Sequence, residues 1–242
     1  MAAHGARVAV LDLDRLEAEK TVAALPTPGL ALACDVAVEA EVTEAAKAAV
    51  TALGGLDILV NNAGAGRGPF DSSAVRPAGG GVDHMSAAVW DQQLAQNLRT
   101  AFVTTKAAAP HLKARGGGAI VNIASMAGRR GLMYRVGYCS AKAGQIGMTY
   151  GLALELGRHN ITVNAIAPGA VAGDRIDRVI KGQAEVRGVD VEHMRQSFVE
   201  RSPLRRMSTP EDIAALAAFL CSDHARNISG QCIPVTAGEP AS

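Results

Sequence analysis

The sequence predicts an α/β fold: a doubly wound parallel sheet with helices on both faces, formed by a single domain over residues 1–242. Three observations predict it. Short apolar runs alternate with longer stretches of helical pattern, which is how βαβ units read. Residues of the apolar class make up 48% of the chain, enough for a substantial core at this length. Only 3% of residues are aromatic, so Ala, Val, Ile and Leu must build that core, and the many Ala and Gly residues favour close helix–sheet packing.

The elements follow in order. Residues 8–11 form a β-branched run that ends in Asp12. A helix start follows, with Asp14 as N-cap and Glu17 three residues on. The next short run is 30–34. Residues 39–53 are helical in pattern and stop at Gly54-Gly55, and the strand 56–60 runs into Asn61-Asn62-Ala63-Gly64. The stretch 66–86 is rich in Gly, Pro and Ser and reads as a long loop; loops beyond about 12–15 residues usually have a function or lack order. One long helix is predicted over 87–115, then a strand at 119–123, a helix over 137–159 and a strand at 161–166 that Pro168-Gly169 breaks. Residues 174–201 read as a polar helical flap. A helix over 210–222, with Pro in its first turn, and a strand at 231–235 close the chain.

Composition excludes several functions. A net charge of +1 argues against a nucleic-acid or polyanion footprint. Cys34, Cys139, Cys221 and Cys232 lie far apart with no C-x-x-C pair, so neither a metal site nor a disulfide framework is expected, and reduced cysteines fit a cytoplasmic protein. No apolar run reaches the roughly 18 residues of a membrane span, and the opening residues lack the features of a signal peptide.

The strongest chemical signal is Tyr138-Cys-Ser-Ala-Lys142. On a helix, positions four apart share a face, so a phenol and an ammonium would be neighbours. The cation favours the phenolate, and a tyrosine so placed can take a proton from an alcohol or give one to a carbonyl. Such a pair alone often occurs by chance on a surface helix. Ser125 strengthens it, because it sits just past the strand 119–123, at the carboxyl end where open α/β sheets bind ligands. The plain alternative is a loop serine capping the next turn. Asn61 to Gly64 occupy another strand's carboxyl end, where Gly permits close approach of a ligand, although an Asn-rich turn would look the same. Asn97, inside the long helix, offers an amide to hold a water or a bent backbone, or simply faces solvent.

These residues, in this order, resemble the classical short-chain dehydrogenase/reductase family. The matching elements are Asp12, Asp35-Val36, Asn61-Asn62-Ala63-Gly64, Asn97, Asn122-Ile-Ala-Ser125, Tyr138-x-x-x-Lys142, Asn164-Ala-Ile-Ala-Pro168-Gly169 and Ser229-Gly230-Gln231, spread over essentially the whole chain. The resemblance implies a Rossmann-type fold and an NAD(P)-dependent oxidoreductase that interconverts a secondary alcohol and a ketone by hydride transfer. It implies Tyr138 as general acid/base, Lys142 as its cationic partner and a ribose ligand, Ser125 as the group orienting the substrate oxygen, and Asn97 as anchor of a water in a proton relay. Asp35 and Val36 would contact the adenine, Asn62, Ala63 and Gly64 would line the cofactor, and Pro168 and Gly169 would face the nicotinamide. An acidic residue at the position of Asp12 accepts hydrogen bonds from ribose hydroxyls and repels a 2′-phosphate, which favours NAD over NADP; Arg7 and Arg15 leave NADP open.

The chain also departs from the family pattern. The family begins with a strand, a glycine-rich loop and a helix, and residues 2–7 match only the tail of that helix. The first strand and phosphate loop are therefore expected to be missing, through a misassigned start or a real truncation. A central strand's absence would leave unpaired backbone groups, each costing about 1–3 kcal/mol. Gly173 stands near where the family often has a Thr that holds the carboxamide, and Thr236-Ala-Gly238 replaces the common Asp-Gly-Gly. Arg129, Arg130, Arg135, Arg175, Arg178 and Lys181 fall in segments that would line the substrate pocket, so one reading is a small alcohol or carbonyl substrate with an anionic group; the plain alternative is a solvated face. The family is commonly tetrameric, and the small residues of 137–157 suit a helix-to-helix homo-oligomer, tetramer or dimer. The rival to the enzyme is a non-catalytic relative that kept the scaffold as a binding or regulatory protein.

Overall fold

A computed structural model describes residues 1–64 and 81–240. Six parallel strands are found among them: β1 (Ala9–Asp12), β2 (Leu30–Ala33), β3 (Ile58–Asn61), β4 (Gly118–Ile123), β5 (Ile161–Pro168) and β6 (Cys232–Val235). They form two ladders, β1-β2 and β3-β4-β5-β6. The helices between them are α1 (Arg15–Ala23), α2 (Glu39–Leu53), α3 (Ala87–Leu94), α4 (Thr100–Arg115), α5 (Ala127–Arg130), α6 (Val136–Leu156), α7 (Asp174–Arg187), α8 (Val191–Glu200) and α9 (Pro210–Leu220). This is the doubly wound, Rossmann-like α/β architecture that the alternation of patterns predicts.

Strand alternation explains why helices cover both faces. Successive residues of a strand point to opposite sides of the sheet. On β4, Ile120 packs with Leu112, Leu156, Ile161 and Val163, beneath α4 and α6. Its neighbour Val121 packs with Ile166, Ala217 and Leu220, beneath α9. The two-stranded ladder is joined to the rest by α2 and α4, where Cys34, Val42, Ala45 and Val103 share a cluster with Leu11 and Leu32. Lys106 on α4 pairs with Glu39 on α2 at 2.6 Å, and Arg99 donates to the Ala37 carbonyl across the same seam.

Three expectations need correction. The segment 87–115 is not one regular helix: residues Ala95–Arg99 form a π turn between α3 and α4. Hydropathy has no term for a single i→i+5 turn, so its period passes over it. The flap 174–201 is two helices. Gly188, at φ 62° in the left-handed region, ends α7, and the Asp190 side chain then accepts from the Glu192 and His193 amides to start α8. Asp14 caps α1 through the Leu16 amide, but Glu17 pairs with Lys20 at 2.9 Å rather than closing a capping box. Of the expected loop 66–86, residues 66–80 lie outside the described residues; Val82–His84 form a 3-10 turn, and Ser86 caps α3. None of the described helices is long and apolar enough to cross a membrane.

Candidate active site

The residues singled out for chemistry converge on the carboxyl ends of β3, β4 and β5. Tyr138 and Lys142 lie on one face of α6, and both are buried. Gly128 on α5 sets how closely the two helices approach, since a Cβ there would stand 2.6 Å from the Lys142 carbonyl carbon. Lys142 Nζ donates to the Ile123 carbonyl at the end of β4 (2.8 Å) and to Gln145 Oε1 (3.0 Å).

Asn97 and Gly64 meet the same lysine. Asn97 is fully buried in the π turn, so the solvent-facing alternative fails; its Nδ2 donates to the Gln93 carbonyl at 3.1 Å. A Cβ on Gly64 would lie 3.1 Å from Asn97 Oδ1 and 3.7 Å from Lys142 Nζ. The π turn thus aims Asn97 at the end of β3, and glycine keeps the space between them open. Asn62, Ala63 and Gly64 are exposed there. Ser125 is half-buried, and its hydroxyl accepts from the Ala127 amide at 3.1 Å, so it also caps the turn into α5 as the plain alternative held. Pro168 is joined to this end of β4 through its carbonyl, which accepts from the Met126 amide at 3.0 Å. A Cβ on Gly169 would approach Glu239 Oε2 to 3.2 Å.

A polar chain behind the site was not visible in the sequence. Thr104 donates to Asn61 Oδ1 at 2.6 Å, and Asn61 Nδ2 donates to Asn122 Oδ1 at 2.8 Å. Asn122 Nδ2 donates to Thr149 Oγ1 at 2.9 Å. Asn61 and Asn122 are direct cross-strand partners, so one pair of amides ties β3, β4, α4 and α6 together. Buried amides must be satisfied, and these satisfy one another. Asn164 does similar work elsewhere: its Nδ2 donates to the Ile228 carbonyl and its Oδ1 accepts from the Gln231 amide, which fixes the turn Ser229-Gly230-Gln231.

Electrostatics sharpen the centre. Burial pushes the Lys142 ammonium down to about 7, and Arg175 on α7 adds to the shift. The Arg175 guanidinium stands 6.0 Å from the centre of the Tyr138 ring. Two other arginines of the expected cationic rim are engaged: Arg130 pairs with Glu239 at 2.6 Å and Arg129 donates to the Cys232 carbonyl.

Asp12, Asp35 and Val36 belong to the other ladder. Asp12 ends β1, where its carbonyl accepts from the Cys34 amide at 2.9 Å, which places Asp12 and Asp35 at one carboxyl end. Both carboxylates also organise their own turns, Asp12 Oδ1 accepting from the Asp14 amide and Asp35 Oδ1 from the Ala37 amide. Val36 packs against the α2–α4 cluster.

Comparison with known proteins agrees with the fold. A family described as Enoyl-(Acyl carrier protein) reductase matches residues 1–239. The chain is 34% identical to the 7alpha-hydroxysteroid dehydrogenase of Escherichia coli K12, over 98% of this chain and 86% of that protein. It is 36% identical to the galactitol 2-dehydrogenase of Agrobacterium fabrum, over 98% and 89%. Among solved structures, a 7 alpha-hydroxysteroid dehydrogenase complexed with NADH and 7-oxo glycochenodeoxycholic acid superposes with a TM-score of 0.83 at 33% identity, covering 100% of this chain and 88% of that one. An NAD+-bound xylitol dehydrogenase superposes with a TM-score of 0.87 at 30% identity, covering 98% and 90%.

Proposed function

The chain belongs to the short-chain dehydrogenase/reductase family, and on that premise we propose that it interconverts a secondary alcohol and a ketone with a nicotinamide dinucleotide, using Tyr138 as general acid/base. One observation carries the reading: Tyr138 and Lys142 are buried on one face of α6, with the lysine ammonium bonded to the carboxyl end of β4 and facing Asn97 and Gly64. A buried lysine beside a buried tyrosine is costly to keep without a chemical use.

The residues present fit the nicotinamide half of such a cofactor. The space that a Cβ on Gly64 would fill, between Asn97 and Lys142, suits a ribose hydroxyl. Lys142, Asn62, Ala63, Gly64, Pro168 and Gly169 would hold that half, and Asp12, Asp35 and Val36 the adenosine half. When bound, the dinucleotide supplies or accepts the hydride. Tyr138 Oη takes the proton from the alcohol or returns it to the ketone oxygen. Ser125 Oγ orients that oxygen. Lys142, as an ammonium, favours the phenolate, and Asn97 anchors the relay that resupplies the proton.

Asp12 supports NAD over NADP, because its exposed carboxylate at the end of β1 would repel a 2′-phosphate. Arg175 beside Tyr138 supports a substrate with an anionic group. Homo-oligomerisation, as tetramer or dimer, is supported by α6. Gly147 and Gly151 leave its outer face open, and Tyr150 and Leu154 are exposed beside them. Leu94, Leu98, Phe102 and Met148 line an adjoining apolar depression of about 500 Å³. The four cysteines are free, which supports a cytoplasmic location.

The split of the described strands into two ladders, β1-β2 and β3-β4-β5-β6, supports a second reading, in which the chain acts as a non-catalytic binding or regulatory relative. Titration of the protein with NADH and with NADPH, followed by nucleotide fluorescence, separates the two. Saturable NADH binding, tighter than NADPH, supports the enzyme. A folded chain that binds neither supports the second reading.

A further inference from the structure

Gln145 stands three residues after Lys142 on α6, on the same helical face, and is 1% exposed. An amide buried this deeply is unfavourable unless its polar atoms are used. Its Oε1 accepts from Lys142 Nζ at 3.0 Å, and the Ile123 carbonyl accepts a second proton of the same ammonium at 2.8 Å. An ammonium has three donors and no acceptor, so two fixed acceptors set its direction. The third neighbour is Gly64, where a Cβ would stand 3.7 Å from Nζ. We propose that Gln145 is a positioning residue, whose amide oxygen holds Lys142 as a cation against the carboxyl end of β4 and aims its remaining donor at the cofactor side of the cleft. This rests on the reading of Lys142 as part of the active centre and deepens it.

The surroundings work against the cation, which gives the acceptor its purpose. Burial disfavours the charged form, and Arg175, reaching in from α7, disfavours it further. On α6 itself the nearest titratable residues are Tyr138 and Cys139, whose thiol is instead bonded to the Leu132 amide and carbonyl. Helix α5, packed against the Lys142 backbone, carries Arg129 and Arg130, held by the Cys232 carbonyl and by Glu239. Ser125 and Asn97, from β4's end and the π turn, are uncharged. Among these groups Gln145 and the Ile123 carbonyl favour the ammonium, because a hydrogen bond to the charged form stabilises it. A neutral Lys142 would no longer favour the Tyr138 phenolate.

The test is a direct titration of Lys142 in the full chain, by NMR of 13Cε-labelled lysine, with its signal assigned by its loss in Lys142→Met. Gln145→Met, similar in volume but without the acceptor, should lower the midpoint by about one pH unit. Gln145→Glu should raise it. An unchanged midpoint in a folded Gln145→Met overturns the proposal, even if that variant melts earlier, since that is what a merely structural glutamine would do. If Gln145→Met does not fold, an unchanged or lowered midpoint in Gln145→Glu overturns it. The titration needs neither nucleotide nor substrate, so failure of the oxidoreductase reading would be seen separately, in the absence of NADH binding.

Discussion

The two ladders of this protein have different environments and different tasks. In the four-stranded ladder, β4 and β5 are buried along nearly their whole length on both faces, and the groups proposed to handle protons sit at their carboxyl ends or on helices packed against them. In the two-stranded ladder, β1 and β2 are only half-buried, and their carboxyl ends present carboxylates. Chemistry that depends on sub-ångström placement needs rigid support. Ribose recognition by a carboxylate depends more on charge. The difference teaches that packing density and chemical demand run together along this sheet.

The strongest way to break the comparison is to remove chemistry from the dense half without touching its packing. Tyr138→Phe should lower turnover by about 10²–10⁴-fold while leaving NADH binding and the melting curve near those of the parent. Comparable turnover by the variant would remove Tyr138 from the mechanism.

Packing itself is next. Ile120 on β4 is fully buried between Leu112, Leu156 and Val163, so Ile120→Ala should cost about 2–5 kcal/mol by urea unfolding. Leu32 on β2 is only partly buried, and Leu32→Ala should cost about half as much. Equal costs would mean that the two ladders are equally well packed, against the contrast drawn above.

A smaller effect comes from the buried ammonium. Lys142 titrates near 7 in the folded chain, against about 10.4 for a free lysine. Between these values the unfolded chain binds more protons than the folded one, so this group makes stability rise with pH from about 7 to 10. Below 7 its desolvation counts fully against folding. Relative to Lys142→Met, the parent should therefore gain stability across that window, by about 3–4 kcal/mol. Melting both proteins at several pH values reads this, and parallel curves would mean that Lys142 titrates normally.

Much of this was legible in the sequence. The strand runs at 8–11, 56–60 and 119–123 fall within a residue or two of β1, β3 and β4, because β-branched and apolar runs between turn residues are a local signal. The Tyr138–Lys142 spacing gave the shared face directly. The π turn was not legible, nor was the reach of Asn97 to Gly64, since both depend on where β3 ends in space. The Asn61–Asn122–Thr149 chain links residues 61 and 27 positions apart, and a polar residue at a core position looks the same in sequence whether it is satisfied or not. The same holds for Gln145: its spacing from Lys142 is written in the sequence, but its burial is not.

The last test belongs to the sparse half. Asp12 is exposed at the end of β1, and its Oδ1 also holds the Asp14 amide at 2.9 Å. Asp12→Asn keeps an acceptor for that turn and removes the charge. If the carboxylate selects the nucleotide, the variant should narrow the preference for NADH over NADPH by about tenfold, roughly 1.4 kcal/mol, read from the two dissociation constants. Arg7 does not compensate, because its guanidinium is held by the Ala52 and Leu53 carbonyls at the end of α2. Arg15 is tied to Glu19 at 2.8 Å, but that pair is exposed and weak, so Arg15 can turn toward a 2′-phosphate once Asp12 is neutral. Adding Arg15→Ala to Asp12→Asn should then take back part of the gain in NADPH affinity. A preference unmoved by either change would leave Asp12 as a turn residue alone, and the β1–β2 end would have no part in choosing between the two nucleotides.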